Sequence, residues 1–192
     1  MRMLELAVLG LLHDAPMHGY ELRKRLNGLL GAFRAFSCGT LYPTLRRLLR
    51  AGLIEEEASG PGNGLGRRAR RVYRLTAAGR KRFADLVGDC GPQACDDDAF
   101  GVHVAFFSRT PAEVRMRILE ARRRRVEERR EGLRSVLTGG GLDHYTTALH
   151  ELGLEHSEHE VRWLNEIIEH ERAGSDAGGP LGGRRESRGH DR

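Results

Sequence analysis

Ser37-Cys38-Gly39-Thr40-Leu41-Tyr42-Pro43-Thr44-Leu45-Arg46-Arg47-Leu48-Leu49-Arg50-Ala51-Gly52 is the stretch on which the fold turns. Leu41, Leu45, Leu48 and Leu49 recur at short helical steps and form one apolar stripe, the mark of a helix with a single buried side. Thr40, Thr44, Arg46, Arg47 and Arg50 fall on the opposite side. Ser37 has a side chain suited to capping the exposed amides at a helix start, and Gly52 stands where a helix end favours glycine. The spacing predicts a helix over roughly 38–51.

Working outward, the period changes downstream. Residues 53–57, Leu-Ile-Glu-Glu-Glu, and 72–75, Val-Tyr-Arg-Leu, read as two short strands. The Gly-rich loop 59–68 between them runs into arginines, which makes a hairpin with a basic edge of Arg67, Arg68, Arg70, Arg71 and Arg74. Thr76 is positioned to cap a further helix through about residue 88. Upstream, Leu4, Ala7, Val8, Leu11 and Leu12 mark a first helix that Pro16 ends. A second opens at His18-Gly19-Tyr20, with Leu22, Leu26, Leu29 and Leu30 facing inward. Three helices, a hairpin and a helix fit a winged helix-turn-helix, whose third helix enters the major groove of DNA while the hairpin reaches the neighbouring groove or backbone.

The charge distribution agrees with that reading. The chain has 192 residues and a net charge of +5. Residues 1–90 carry 16 Lys+Arg against 8 Asp+Glu, whereas residues 139–192 carry 6 against 11. A basic head on an acidic body suits a polyanion-binding module with a second function elsewhere. Arginine neutralises phosphate bidentately, and phosphate contacts supply much of the affinity for DNA.

Several segments, in order, resemble the PadR family of bacterial transcription regulators. They are Leu-Gly-Leu-Leu (9–12), His-Gly-Tyr-Glu-Leu (18–22), Gly-Thr-Leu-Tyr-Pro-Thr-Leu-Arg-Arg-Leu (39–48), Ala-Gly-Leu-Ile (51–54) and Val-Tyr-Arg-Leu-Thr-Ala-Ala-Gly (72–79). The resemblance implies a cytoplasmic homodimeric repressor on double-stranded operator DNA, with Tyr20, Thr40, Tyr42 and Pro43 on or beside the reading surface. Lys24, Ser37, Arg46, Arg47, Arg50, Arg67, Arg68 and Arg70 complete the expected DNA-contacting set. Cys38 departs from the family, which typically has proline there. Pro43 admits two readings: a helix that starts beyond Thr40, or a bent first turn that aims Thr40 and Tyr42 at the DNA. The family motif favours the second.

The remainder reads as helices: an apolar segment over 99–107, a long helix from Thr110-Pro111 to about 137, a break at Gly139-Gly140-Gly141, and a last helix over about 142–172. Leu119, Val126 and Leu133 lie seven residues apart, a seam that suits packing against another helix. The resemblance implies that this region dimerises together with the first helix. Phe100, Phe106, Tyr145 and Trp163 are the candidates for binding a small aromatic or hydrophobic effector. The expected organisation is therefore mainly α with a small β-hairpin: a winged helix-turn-helix over 1–90, a helical dimerisation region over 91–173 and a disordered tail over 174–192.

Other chemistries find less support. Arg122-Arg123-Arg124-Arg125 is expected to pair with Glu120, Glu127, Glu128 and Glu131 along its own helix. His156 and His159 share a face, but no fourth ligand is tied to them, and Cys90-x4-Cys95 is wider than most zinc pairs. No metal or cofactor is expected. No Gly-Lys-Ser/Thr follows the Gly-rich loop and no nucleophile–base pair stands out, which argues against an enzyme. No apolar run reaches membrane-spanning length. An adaptor with a protein-binding winged helix and a coiled coil is the competing reading.

Overall fold

A computed structural model of the chain describes residues 2–30, 38–58 and 71–177. Ser37, the wing loop with Arg67, Arg68 and Arg70, and residues 178–192 of the expected tail lie outside the described residues. The elements are α1 (Arg2–Asp14), β1 (Met17–His18), α2 (Gly19–Leu30), α3 (Cys38–Arg50), β2 (Ile54–Ala58), β3 (Arg71–Leu75), α4 (Ala77–Val87), α5 (Asp97–Ala105), α6 (Ala112–Gly139) and α7 (His144–Ala177). The chain divides into two compact units, Met1–Val126 and Glu127–Arg192.

The first unit is built around α1, in which every residue from Leu4 to Leu12 is buried. The expected stripe is thus only part of a helix enclosed on all sides. Leu22 and Leu26 of α2, Leu41, Leu45 and Leu48 of α3, Phe83 of α4 and the sheet residues Met17, Ile54, Tyr73 and Leu75 share its core. Leu29, expected inward, is exposed, because it lies at the end of α2, past the turns that pack.

The sheet is antiparallel in the order β1-β3-β2. Residues 54–58 and 71–75 form the expected hairpin, with Glu56 opposite Tyr73. β1, with Met17 opposite Tyr73, was not foreseen; two residues carry no period to read. Two glycines shape the helix–hairpin junction. Gly52, at φ 66°, ends α3 while Leu53 N–H bonds to the Leu48 carbonyl at 3.0 Å and Gly52 N–H to Leu49 at 3.0 Å, a helix-terminating arrangement that glycine permits. Gly79 passes so close to the chain that a Cβ there would stand 2.0 Å from the Leu53 carbonyl oxygen. Thr76 caps α4 as expected, accepting from Gly79 N–H at 3.0 Å and donating to the Gly52 carbonyl at 2.7 Å.

Residues 91–126 belong to this first unit, although the sequence suggests a division at 90. The reason is packing. Val102 and Phe106 enter the same core, and the Phe106 ring meets Phe83 edge-on at 5.7 Å. That ring lies over Gly10, where a Cβ would fall 2.3 Å from Phe106 Cε1.

Two members of the arginine run, Arg122 and Arg125, reach beyond their own helix. Arg122 falls on the buried stripe of α6 with Ile118, Leu119 and Val126. Its guanidinium donates to Asp97 at 2.5 Å and to the Cys95 carbonyl at 3.1 Å, and lies 5.2 Å from the centre of the Phe100 ring. Arg125 reaches Asp96 at 2.5 Å. Four consecutive residues point around a helix, so buried Arg122 and exposed Arg125 both reach the start of α5 from different sides of α6.

In the second unit, Gly140 and Gly141 take φ of 69° and 81° after α6 ends. Asp143 then starts α7: its carboxylate accepts from the Thr146 hydroxyl and from the backbone N–H of Tyr145 and Thr146 at 2.9 and 3.1 Å. The Thr146 side chain first, and these amides next, hold the Asp143 carboxyl below its usual range. Arg134 pairs with Glu158 at 2.6 Å. Gly153 leaves room for Leu133, whose Cδ1 would be 3.4 Å from a Cβ. The helix runs to Ala177, so residues 174–177 are not the irregular tail expected; extending a formed helix costs little per residue.

Candidate nucleic-acid interface

Residues Thr40, Tyr42, Pro43, Arg46 and Arg50 are exposed along one side of α3. Pro43 lies inside the helix, where its ring nitrogen has no hydrogen for the Gly39 carbonyl. The helix begins at Cys38, which excludes a start beyond Thr40. Thr44 donates its hydroxyl to the Thr40 carbonyl at 2.9 Å.

Three elements converge on Tyr42. A Cβ on Gly19, the first residue of α2, would lie 3.4 Å from Tyr42 Cε1 and 3.4 Å from Tyr73 Cε2. Glycine at this point therefore lets both rings close against the start of α2. Burial pushes the Tyr73 phenol up, with the Glu56 carboxylate adding to it, and Tyr42 and Arg46 are near enough to bear on it as well. Beside them, Tyr20 is 67% exposed with the Arg23 guanidinium 5.5 Å from its ring centre. Lys24 is also exposed.

The arginines separate into two kinds. Arg46 and Arg50 project outward, and among the described residues neither makes an ion pair. Arg47, expected in the DNA-contacting set, turns inward and donates to Glu5 at 2.8 Å. Arg82 of α4 donates to the other carboxylate oxygen at 2.8 Å. Burial works to raise the Glu5 carboxyl, but the bonds from Arg82 and Arg47 outweigh it and the net shift is downward. Arg47 is thus a link between α1 and α3. On the hairpin, Arg71 pairs with Glu56 at 2.8 Å and Arg74 with Glu57 at 2.9 Å. These two wing arginines are compensated by the opposite strand.

Glu5 is the residue that sequence reasoning missed. The signal was present: one carboxylate in an otherwise apolar helix must find cationic partners once that helix is buried.

Of the expected effector residues, Phe100 and Phe106 are buried in the first unit. In the second unit Tyr145 is 83% exposed and Trp163 partly buried. The first unit contains a cavity of about 580 Å³ between α1, the end of α4, the turn at 92–95 and α5, and neither phenylalanine lines it. Among the described residues no group of three His, Cys, Asp or Glu side chains is placed to hold a metal. No described helix is long and apolar enough to cross a membrane.

A three-stranded wing beside a helix whose outer face carries Tyr42, Arg46 and Arg50 defines a winged helix-turn-helix protein with C-terminal helices. Residues 8–85 match the model of the transcriptional regulator PadR-like family. Over 85 residues it is 31% identical to the negative transcriptional regulator PadR of Bacillus subtilis (strain 168), a stretch covering 44% of this chain and 45% of that protein. The chain thus spans under half the length of the curated relative it matches. Among solved structures, Bacillus subtilis PadR in complex with operator DNA is similar at 20% identity and a TM-score of 0.42, over 88% of this chain and 98% of that one. The protein smu.1604c from Streptococcus mutans UA159 is similar at 24% identity and a TM-score of 0.41, over 85% and 97%.

Proposed function

We propose that the chain is a transcription regulator that binds a pseudo-palindromic operator as a homodimer, represses from it, and is released by a small effector. The observation that carries this reading is the outer face of α3, where Arg46 and Arg50 project beside Thr40 and Tyr42 without ion-pair partners among the described residues. Arg46 and Arg50 set affinity through phosphates, and Thr40 and Tyr42 contact base edges or the adjoining backbone. Arg67, Arg68 and Arg70 extend the contact along the wing, with Tyr20 and Lys24 at the flank. The protein acts in the cytoplasm, on the nucleoid, and has no catalytic centre.

Dimerisation through the second unit is supported by its uncovered apolar side chains. Tyr145, Leu149 and Leu152 follow one another at helical spacing on α7 and are 83, 67 and 48% exposed. A second copy would cover them. The two α3 helices would then address half-sites about one helical turn, ~34 Å, apart.

The test is a gel shift of the full chain on the DNA upstream of its own gene across a salt series. Affinity that falls steeply with salt, and falls further with Arg46→Ala, supports the reading. No binding at low salt would overturn it and favour the adaptor.

A further inference from the structure

Tyr73 stands where the wing meets the helices it flanks. It is the middle residue of β3, opposite Glu56 of β2 and Met17 of β1, and its side chain is buried. β1 is two residues long, and α2 begins at Gly19, the residue that follows it. The pairing of β1 with β3 therefore fastens the first residue of α2 to the wing. His18 Nδ1 adds to this by donating to the Arg71 carbonyl at 3.3 Å.

Gly19 in turn faces Tyr42 of α3. A Cβ there would meet Tyr42 Cε1 and Tyr73 Cε2 at 3.4 Å each and the Tyr42 hydroxyl at 3.6 Å, so both rings come to the bare backbone of one glycine. The two differ in freedom. Tyr73 is held in the hydrophobic core, whereas Tyr42 is 42% exposed. A half-exposed ring on an open helix surface has several rotamers available, and a ring ordered only on binding weakens the contact it makes. The wing strand and the start of α2 give Tyr42 a wall that limits this freedom.

We propose that Tyr73 and Gly19 are positioning residues for Tyr42: they fix its ring before DNA arrives, so that the wing and α3 meet an operator as one preformed unit. This rests on the regulator reading above and concerns discrimination between sequences rather than affinity for DNA in general. Phosphate contacts by Arg46 and Arg50 do not depend on the Tyr42 ring and act on any duplex. What a loosened Tyr42 loses is its contact to a base edge, the part that tells one duplex from another.

Three variants of the full chain test this. Tyr73→Leu removes the ring but keeps the core apolar, and Tyr73→Phe keeps the ring. Gly19→Leu extends past the Cβ and must displace the exposed Tyr42 ring rather than the buried Tyr73. Binding to the DNA upstream of its gene and to a scrambled duplex of equal length and composition is compared at one salt concentration. Tyr73→Leu and Gly19→Leu should each cut the ratio of the two affinities about ten-fold, the size of one base-reading contact, with binding to scrambled DNA retained. Tyr73→Phe should restore the parent ratio. In parallel, without DNA, the chain is labelled with fluorotyrosine, and its four tyrosines give four fluorine NMR lines. The Tyr42 line, identified by its loss in Tyr42→Phe, should move in both leucine variants while the Tyr145 line stays. Gly19→Leu decides alone if Tyr73→Leu does not fold. An unmoved Tyr42 line, an unchanged ratio, or equal losses on both duplexes would overturn the positioning role. A parent chain that binds both duplexes alike, or neither, would overturn the regulator reading and this consequence with it, a failure told apart from the first by a Tyr42 line that moves as expected.

Discussion

The guanidinium of Arg47 on α3 donates to the buried carboxylate of Glu5 on α1 at 2.8 Å, one residue along the chain from the outward-facing Arg46. Two adjacent arginines of the same helix thus have opposite duties. Arg46 is left to solvent and to any polyanion that docks there. Arg47 neutralises a charge that α1 would otherwise carry into the core.

Substituting the two separately should show this. Arg47→Ala leaves Glu5 with Arg82 alone, and we expect a loss of about 1–2 kcal/mol in stability, discounted because Arg47 is itself partly exposed. Arg46→Ala should leave stability within about 0.5 kcal/mol of the parent. It should instead weaken operator binding and reduce the salt slope by about one. Urea unfolding and a salt-dependent gel shift measure the two effects. A destabilised Arg46→Ala together with a fully stable Arg47→Ala would reverse the assignment.

Gly79 and Gly28 offer a second contrast. Alanine at Gly79 would bring its Cβ 2.0 Å from the Leu53 carbonyl oxygen and 2.8 Å from Leu75 Cδ1. That oxygen already accepts from Thr76, at 3.2 Å from its amide and 3.0 Å from its hydroxyl, so the hairpin base cannot yield cheaply. Overpacking of this kind costs about 1–3 kcal/mol. Alanine at Gly28 in α2 meets nothing within 4 Å and should stabilise by about 0.5–1 kcal/mol through helix propensity and the unfolded chain. Thermal melts of the two variants should move in opposite directions; a Gly79→Ala protein as stable as the parent would contradict the close approach.

The fold was legible wherever a period was long enough to read. The Leu41-Leu45-Leu48 stripe, the Gly52 stop and the Thr76 cap each state a local rule that tertiary packing did not override. β1 was not legible because a two-residue strand has no period and exists only through its pairing with β3. The interface was half legible. Composition shows that α3 and the hairpin are basic, but not which arginines face a carboxylate. Glu5 lies 42 residues from Arg47 and 77 from Arg82, and Glu56 and Glu57 face Arg71 and Arg74 only once the hairpin register is set. Aromatic residue type likewise does not distinguish a ligand-contacting side chain from the filled core around Phe83 and Phe106.

Within the arginine run of α6, Arg122 and Arg124 should differ sharply. Arg122 is buried, bonded to Asp97 and the Cys95 carbonyl and placed over Phe100. Arg122→Ala removes all of these at once and should cost about 2–3 kcal/mol, below a fully buried pair because Asp97 remains largely in water. Arg124 is exposed, and Arg124→Ala should change stability by less than about 0.5 kcal/mol. Equal effects in denaturant unfolding would restore the self-paired surface helix that the sequence suggests.

Acid should weaken the first unit in two steps of the same sign. The His103 imidazole is lowered from 6.5, first by burial, so the unfolded chain takes up a proton there before the folded one. Its contribution is complete above 6.5 and is lost as pH falls through the folded value. Glu5 is lowered from 4.5 by the net effect of Arg82 and Arg47 over burial. Its contribution is complete above 4.5 and is lost as pH falls through its own, lower value. Denaturation midpoints across this range should therefore decline below 6.5 and decline again below 4.5. His103→Asn should flatten the first decline and Glu5→Gln the second, each leaving the other in place. Stability that rises between pH 6.5 and 5.5 would contradict the lowered imidazole, and an unchanged acid limb in Glu5→Gln would remove Glu5 as the charge that α1 must keep paired.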